Sequence, residues 1–447
     1  MVMLKKITEL FLPQPILVVG DFMVDKYTYG KVDRISPEAP VPILHVQDET
    51  MQPGGAGNVV LNLLALKATP FALGRVGFDA AGNYLIEGLE KTGADVSYFV
   101  KEKKYSTTIK NRLIADRQQL ARIDTEETNF LSIEEEKKLL KMIPQLVAKA
   151  KLIAISDYKK GFLTKTLLKE IIDEANRQDV PVIVDPKGVD FTKYSNATII
   201  KPNLKEAYGA ANLPMSSSLQ EVAKNIWERT NSKYLLVTRS QDGISLFEKG
   251  QIQKDFPTDV KEVIDVTGAG DTVLAMLSIA LANGCPIDEA VVLANTAAQL
   301  AIEHIGCYSV TLSHFLKRLL EKNSENKIFD EKHLFAVKEI LNNEKFSLLA
   351  IDANEGISPR FFHAIKEISK DSMVVVYVRG KNADEEYLSF LASLNEVTLI
   401  IQQEENLKPL LSEIHPSAVF VMEKNEIKEI ETSQDLLKSL LEKKVVK

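Results

Sequence analysis

Short runs of β-branched and other apolar residues alternate along this chain with longer amphipathic stretches, and this alternation constrains the fold more than any other feature. Five such runs precede residue 240: Ile16–Gly20, Leu152–Ser156, Val180–Asp185, Ala197–Lys201 and Tyr234–Thr238. Amphipathic segments separate them, among them residues 132–150 and 163–178. Apolar strands that alternate with helices indicate βαβ units, so we predict an α/β fold with a mostly parallel sheet sandwiched by helices.

Polar residues stand at or directly after the carboxyl ends of these predicted strands. They are Asp21, Asp157, Asp185, Asn203 and Thr238. In an open α/β sheet, ligands bind at the carboxyl ends of the strands. The strand ends are therefore candidate site positions.

Two segments interrupt this rhythm. Residues 26–46 and 105–123 alternate polar and apolar side chains, as antiparallel strands with one exposed face do. We predict that they form a small second sheet beside the main one. An edge hairpin is the alternative interpretation.

The chain becomes polar at Lys322–Asp330 and then repeats the α/β pattern more weakly. Four further strands are predicted: Ser347–Ile351, Met373–Val378, Val397–Ile401 and Ala418–Met422. We therefore predict two domains, residues 1–325 and a smaller Rossmann-like α/β domain at residues 326–447.

Composition narrows the functional classes. The 447 residues carry a formal net charge of −7 and 45% are hydrophobic, which disfavours both a nucleic-acid footprint and a disordered chain. No run of about 18 apolar residues is present for a membrane span. The two cysteines, Cys285 and Cys307, do not make a disulfide framework, and the amino terminus lacks the apolar core of a signal peptide. We expect a cytoplasmic protein without nucleic-acid or membrane partners.

The most informative motif is Asp265–Thr272, DVTGAGDT, which precedes a helical pattern at residues 273–283. Gly268 and Gly270 allow backbone N–H groups to approach a ligand at a helix N-terminus, where unpaired donors and the helix dipole favour an anion. A carboxylate beside an anion site, here Asp271, is suited to take a proton from a hydroxyl that attacks phosphorus. The alternative is a helix cap followed by a tight turn.

With the helix that follows, this run resembles the carboxy-terminal signature of ribokinase-like (PfkB-type) carbohydrate kinases. The glycine-rich signature of that family is matched by Gln52–Asn58, QPGGAGN, and its NxxE element by Lys201–Glu206, KPNLKE. Each of these two segments alone also fits a turn or a helix cap. The resemblance rests on the three segments together.

The resemblance implies a kinase that uses ATP and Mg²⁺, with Asp271 as its base. Gly268, Ala269 and Gly270 are expected to complete the catalytic anion hole. Asn203 and Glu206 are expected to hold Mg²⁺, largely through water. The ATP site is expected at Asn203, Leu204, Lys205, Glu206, Thr238 and Thr267. The Walker A motif of a P-loop kinase is absent, and a monovalent-cation requirement is left open.

The resemblance narrows to the kinase half of the bacterial bifunctional heptose enzymes, which join a heptose-7-phosphate kinase to a heptose-1-phosphate adenylyltransferase. It rests on the segments Val18–Tyr27, Ile35–Pro42, Arg117–Leu120, Ser156–Tyr158, Asp185–Gly188 and Val237–Ser240. It implies transfer of the ATP γ-phosphate to the anomeric hydroxyl of D-glycero-β-D-manno-heptose 7-phosphate, on the route to ADP-heptose and the lipopolysaccharide core. The alternatives are a kinase of another sugar, such as ribose or fructose 6-phosphate, and a non-catalytic sugar or nucleotide sensor.

A phosphosugar needs polar partners for its hydroxyls and cations for its phosphate. The expected substrate residues are Asp21, Asp25, Gly54, Gly55, Asn58, Arg122 and Lys187. Further cations near the site are Lys110, Arg112, Arg117 and Lys159. Which of these four, or of Arg122 and Lys187, reaches the phosphate stays open. The alternating segments fit the family's lid sheet, which covers the sugar, excludes water and pairs subunits, so a homodimer is expected.

The second domain resembles the cytidylyltransferase-like half of the same enzymes without its motifs. Gly356–Pro359 stands where that family has HxGH, and Met422–Glu426 where it has a KGGDY-like segment. The imidazoles and backbone donors that would neutralise a transferring α-phosphate are missing. We predict a degenerate domain without adenylyltransferase activity. An unrelated α/β module for protein contacts and an atypical transferase site are the alternatives.

Overall fold

The computed structural model describes residues 11–116, 118–251, 253–258, 263–322, 327–329, 333–352, 358–379, 384–403, 414–423 and 426–430. Contacts divide the chain after Thr311 into two compact units. The division falls before the helix Leu312–Lys322, one helix earlier than the predicted boundary at residue 326.

Within the described residues, the first unit is built on an eight-stranded main sheet. In spatial order its strands are Lys254–Phe256, Ile244–Glu248, Tyr234–Thr238, Ile199–Ile200, Val182–Asp185, Leu152–Ser156, Pro15–Gly20 and Thr69–Leu73. The last six run parallel, as predicted, and Ile244–Glu248 is antiparallel to both of its neighbours. The strand predicted from Val180 begins at Val182, because Pro181 has no N–H for the sheet.

Helices cover both faces of this sheet. They are Ala56–Ala65, Ala80–Lys91, Ile133–Lys149, Lys165–Arg177, Leu204–Ala211, Leu219–Thr230, Ala269–Ala282 and Ile287–Ile302, with 3₁₀ turns at Phe191–Tyr194 and Ser240–Asp242. Leu17 and Ile153 pack with helix residues in one core, and their neighbours Val18 and Ala154 are also fully buried. Since successive strand residues point to opposite faces, both faces are covered.

A separate four-stranded sheet, here called the lid sheet, confirms the prediction from the alternating segments and makes the edge-hairpin alternative wrong. Its strands are, in order, Pro42–Gly55, Phe22–Ile35, Thr108–Ala115 and Gln118–Thr125. The two middle strands are parallel and the outer pairs antiparallel. A two-stranded sheet, which was not predicted, joins Arg75–Gly77 to Val100–Glu102.

The second unit has its own sheet, whose described strands are, in order, Ile328–Phe329, Val397–Gln403, Met373–Arg379, Phe346–Asp352, Ala418–Glu423 and Glu426–Ile430. All neighbours are parallel except the last pair. Its described helices are Leu312–Lys322, Leu334–Leu341, Pro359–Ile368 and Glu385–Ser393. The four predicted strands and the smaller α/β fold are thus confirmed. Positions 356–357 and 424–425 of the replaced motifs lie outside the described residues.

Across the segments that the structure describes, no helix combines the length and the apolar character that crossing a bilayer requires.

Candidate active site

The carboxyl ends of three central strands meet side by side. Gly20 pairs with Ser156, and Ser156 with Asp185, in parallel register. Asp21 and Asp157, which directly follow two of these strands, are buried. Three of the predicted strand-end residues, Asp21, Asp157 and Asp185, therefore form a cluster of carboxylates at the carboxyl ends of these strands.

The helix Ala269–Ala282 begins beside this cluster. Gly268 precedes it in the left-handed conformation, with a φ of 78°. A Cβ built on Gly270 would lie 3.6 Å from Oδ2 of Asp185 and 3.7 Å from Nζ of Lys201. The start of the helix thus adjoins the strand ends, where its N–H groups and dipole favour an anion.

Asp271 lies in the first turn of this helix and is buried, with 4% of its surface exposed. The Asn58 amide donates to its Oδ2 at 2.9 Å, and the Tyr158 hydroxyl donates to its Oδ1 at 2.9 Å. Burial raises the pKa of Asp271 to about 7, against the lowering effect of these two hydrogen bonds. A carboxylate whose pKa lies near the working pH has the property that a general base needs.

Gly268 leaves room for one partner of this carboxylate. A Cβ at Gly268 would stand 2.7 Å from Nδ2 of Asn58. Asn62 in turn fixes Asn58, donating to its carbonyl at 2.9 Å and to its Oδ1 at 3.2 Å. Asn58, predicted as a sugar ligand, therefore holds Asp271 in this structure.

Asp25 reaches from the lid sheet to the glycine-rich segment. A Cβ on Gly54 would lie 2.0 Å from Oδ2 of Asp25, so the carboxylate rests directly on the glycine backbone. Arg112 pairs with Oδ1 of Asp25 at 2.6 Å, and the Cys307 sulfur lies 3.8 Å from its Oδ2. Gly55, with a φ of 57°, turns the chain into the next helix. The predicted substrate residues Asp25, Gly54 and Gly55 are thus brought together.

Three cations share one face of the lid sheet. Arg112 stands directly opposite Arg122, and Lys110 is two residues before Arg112 on the same strand, so the three side chains point to the same side. We call them the lid cations. Nζ of Lys110 lies 5.1 Å from the centre of the Tyr158 ring, and burial lowers the pKa of Lys110. Arg122 donates twice to Asp124, at 2.8 and 2.9 Å.

The other cations considered from the sequence do not belong to this face of the lid sheet. Lys159 is exposed, and Arg117 falls outside the described residues. Nζ of Lys187 pairs with Oε1 of Glu206 at 2.7 Å, so Lys187 lies with the expected ATP residues.

Asp21 holds the loop after the strand Leu152–Ser156. Its Oδ2 accepts hydrogen bonds from the N–H groups of Tyr158 and Lys160, at 2.9 and 3.0 Å. Burial raises the pKa of Asp21 to about 6. The contacts of Asp21 therefore fix the loop that carries Tyr158.

The NxxE element forms a capping box at the start of the helix Leu204–Ala211, as the alternative interpretation predicted. Oδ1 of Asn203 accepts from the Glu206 N–H at 2.9 Å, and Oε2 of Glu206 accepts from the Asn203 N–H at 3.0 Å. Leu204 packs against the core, and Lys205 is exposed. The oxygens of Asn203 and Glu206 keep further lone pairs, so this donor set also fits the water shell of a Mg²⁺ ion.

A mostly apolar cavity of about 480 Å³ opens beside Ala269 and Gly270. Its lining includes Thr238, Val266, Val273, Asn295 and Ile302. The size and the apolar walls suit a planar heterocyclic base. Thr267, predicted on the ATP side, donates its N–H and its hydroxyl to Oδ1 of Asp265, at 2.9 and 2.7 Å.

The residues given a role from the sequence did not include Tyr158 or Lys201, and Asp185 was only a candidate strand-end position. Lys201 pairs with Asp185 at 2.9 Å and is almost fully buried. Burial raises the pKa of Asp185, and the Lys201 charge opposes this effect. Each of the three stands at or just after the carboxyl end of a main-sheet strand, which is the signal that could have identified them.

Comparison with known proteins places this geometry in a family. The model of the pfkB family of carbohydrate kinases matches residues 14–313. The Bifunctional protein HldE of Trichlorobacter lovleyi is 40% identical over 333 residues, which are 74% of this chain and 67% of that protein. The Bifunctional protein HldE of Campylobacter curvus is 43% identical over 293 residues, which are 65% of this chain and 62% of that protein. About a third of each of these two relatives is therefore unmatched by this chain.

Solved structures share the fold of the first unit. Arabidopsis thaliana ribokinase complexed with ribose and ATP superposes with a TM-score of 0.56 at 20% identity, over 69% of this chain and 99% of that one. Escherichia coli phosphofructokinase-2 in complex with potassium gives a TM-score of 0.60 at 19% identity, over 70% and 100%. The first unit is thus ribokinase-like, and with the family match over residues 14–313 the chain belongs to the pfkB family and is a carbohydrate kinase.

Proposed function

We propose that this kinase transfers the γ-phosphate of ATP to the anomeric hydroxyl of D-glycero-β-D-manno-heptose 7-phosphate, giving the 1,7-bisphosphate for ADP-heptose and lipopolysaccharide core synthesis. The observation that carries the proposal is the pairing of two features. A buried carboxylate, Asp271, stands at the start of a helix, and a face with three cations lies on the lid sheet. The resemblance to the heptose enzymes supplies the identity of the sugar.

In the proposed reaction Asp271 accepts the proton of the anomeric hydroxyl as its oxygen bonds to the γ-phosphorus. The bond from that phosphorus to the bridging oxygen breaks, and ADP leaves. The Ala269 N–H donates to the Val266 carbonyl at 3.3 Å, so the amides of Gly270 and Asp271 are the main donors for the charge that develops.

ATP would lie along the carboxyl edge of the main sheet. Its base fits the apolar cavity, and its phosphates approach the start of the helix Ala269–Ala282. Mg²⁺, when bound, would neutralise charge on the phosphates, with Asn203 and Glu206 holding its water shell.

The lid cations favour a phosphorylated sugar over a neutral one. Lys110, Arg112 and Arg122 place three positive charges on one face, and two carboxylates, Asp25 and Asp124, accept hydrogen bonds from the two arginines. A bound sugar phosphate would supply the further negative charge and suit the planar donors of arginine. Ribose would leave this cationic face without an anionic ligand.

A substrate panel tests the proposal. The full chain is mixed with ATP, Mg²⁺ and, in turn, heptose 7-phosphate, fructose 6-phosphate and ribose, and ADP release is measured. We expect the heptose phosphate to have the highest kcat/KM, with a 1,7-bisphosphate visible by ³¹P NMR. Preference for fructose 6-phosphate or ribose would overturn the choice of sugar.

The role of the lid cations is tested with Arg112→Met, which keeps the aliphatic stem and removes the charge, and Arg177→Met is its matched control. The KM for the phosphosugar should rise about tenfold or more, since a charge-assisted hydrogen bond is worth roughly 1.5–3 kcal/mol, while the KM for ATP stays constant. Arg177→Met, on an exposed helix face, should leave both values unchanged. An equal rise in both KM values would contradict a substrate role for Arg112.

We further propose that the second unit does not transfer adenylyl groups, because the two histidines and the glycines of the expected motifs are replaced in the sequence. The same preparation incubated with heptose 1-phosphate and ATP should form no ADP-heptose. Appearance of that product would reject this part of the proposal.

We also propose that two copies pair through their lid sheets. Every residue of the outer strand Gln118–Thr125 is exposed, including Leu120 and Ile123, and an exposed edge strand is a ready pairing surface. Light scattering should give twice the mass of the chain, and Ile123→Lys should shift it toward one copy. The control Phe130→Lys changes another exposed apolar residue outside the lid sheet and should leave the mass unchanged. A single-copy mass for the unaltered chain would exclude this pairing.

A further inference from the structure

Tyr158 connects three parts of the site through one residue. Its hydroxyl donates to Oδ1 of Asp271 at 2.9 Å, and its backbone N–H donates to Oδ2 of Asp21 at 2.9 Å. Nζ of Lys110, from the lid sheet, lies 5.1 Å from the centre of its ring, within the distance of a cation–π contact. No role for Tyr158 is needed by the transfer step itself.

The loop that carries Tyr158 is held on both sides. The Lys160 N–H donates to Asp21 at 3.0 Å, and the Lys159 N–H donates to Asp157 at 2.6 Å. The buried Arg75 donates to the Lys160 carbonyl at 2.8 Å. Because buried carboxylates and a buried guanidinium fix this backbone, the position of the Tyr158 hydroxyl is set before any ligand arrives.

We propose that Tyr158 is the positioning residue for Asp271 and joins it to the lid sheet. Its hydroxyl fixes one carboxylate oxygen, and its ring makes a cation–π contact with Lys110. This inference rests on the proposed role of Asp271 as the base. Asn58 fixes the other oxygen from the helix side. With both oxygens held, the carboxylate plane is fixed, and a remaining lone pair is free for the sugar hydroxyl.

The groups around Asp271 determine whether loss of the Tyr158 hydroxyl raises or lowers the pKa of this carboxyl. Burial and the Asp185 charge raise the pKa of Asp271, and the hydrogen bond from Tyr158 and the Lys201 charge lower it. Cys307 also faces Asp271, and burial keeps its thiol neutral by raising its pKa. Loss of the Tyr158 hydroxyl therefore raises the pKa of Asp271. Since the base works ionised, the acid limb of the kcat/KM profile moves to higher pH.

Tyr158→Phe tests the hydroxyl alone because the ring remains. We expect kcat to fall about tenfold and the acid limb to move up by about 1 pH unit, which corresponds to about tenfold on the acid side. The control Tyr208→Phe removes a hydroxyl that donates to the Ser217 carbonyl at 2.7 Å and not to Asp271, so it should leave the profile unchanged. An unmoved acid limb in Tyr158→Phe would overturn the proposal, even if kcat fell.

A second readout does not depend on the sugar. The carboxyl carbon of Asp271 can be titrated by ¹³C NMR in aspartate-labelled protein and assigned by its loss in Asp271→Asn. Its midpoint should be higher in Tyr158→Phe than in the unaltered chain. If the substrate panel fails but this shift appears, the proposed sugar is wrong and the positioning role stands. If the midpoint is unchanged, the positioning role is wrong.

The link to the lid sheet is tested by a double-mutant cycle. Lys110→Met removes the cation, and Tyr158→Leu removes the ring. If the two residues act together, the double variant should lose less kcat/KM than the product of the two single losses. Losses that multiply independently would reject the connection to the lid sheet.

Discussion

Asp271→Asn is expected to lower kinase turnover by about 10²- to 10⁴-fold, the usual contribution of general acid–base catalysis, while ATP binding is retained. The amide cannot take up the proton of the attacking hydroxyl. It has nearly the same shape, and the Tyr158 hydroxyl can rotate from donor to acceptor, so the packing around the position is preserved. The loss should therefore appear in kcat.

Single-turnover kinetics measure the loss of turnover, and calorimetric titration with ATP measures whether ATP binding is retained. The matched control is Asp173→Asn, which replaces a carboxylate paired with Lys169 on an exposed helix face. It should retain full turnover, because an exposed ion pair contributes little. Near-normal turnover in Asp271→Asn would remove this residue from the role of base.

Gly268→Ala is the second substitution with a large expected effect, about 10²-fold in turnover, comparable with other misplacements of reacting groups. Two causes combine here. The left-handed backbone, with a φ of 78°, is strained by about 1–2 kcal/mol for a residue with a Cβ. The new methyl group would also lie 2.7 Å from Nδ2 of Asn58 and would push it away from Asp271.

Gly284→Ala separates the two causes. Gly284 has a similar φ of 79°, but a Cβ there would meet nothing within 4 Å. Thermal unfolding should show a loss of stability in both variants, at least as large in Gly268→Ala, whereas only Gly268→Ala should lose turnover. Equal turnover in the two variants would mean that contact with Asn58 plays no part.

The sequence predicted the elements of this fold well because their signals are local. Apolar runs such as Leu152–Ser156 and amphipathic helices such as Ile133–Lys149 are determined by burial and periodicity, which a single segment displays. The glycines before Asp271 were also readable, because a turn into a helix needs them at fixed spacing. The lid sheet followed from the alternation of polar and apolar residues.

The partners of the site residues were harder to predict from the sequence, because they depend on strand register and on contacts between distant segments. Lys187 was expected among the substrate residues, but the structure pairs it with Glu206. Arg112 was one cation among several until the strand register placed it opposite Arg122 and beside Asp25. No local pattern states which pair of strands will be neighbours, so such roles emerge only from the assembled sheet.

Gly54 and Gly268 also determine where this fold can accept substitutions that change its sugar specificity. Alanine at position 54 would collide with Asp25, and alanine at position 268 would collide with Asn58. Single substitutions at these two glycines are therefore not tolerated. The lid cations, in contrast, project from strands whose side chains are partly open to solvent. Substitutions that adapt the enzyme to new sugars are therefore expected in the lid strands. A library of variants substituted only in these strands should alter sugar specificity and leave the residues of phosphoryl transfer unchanged.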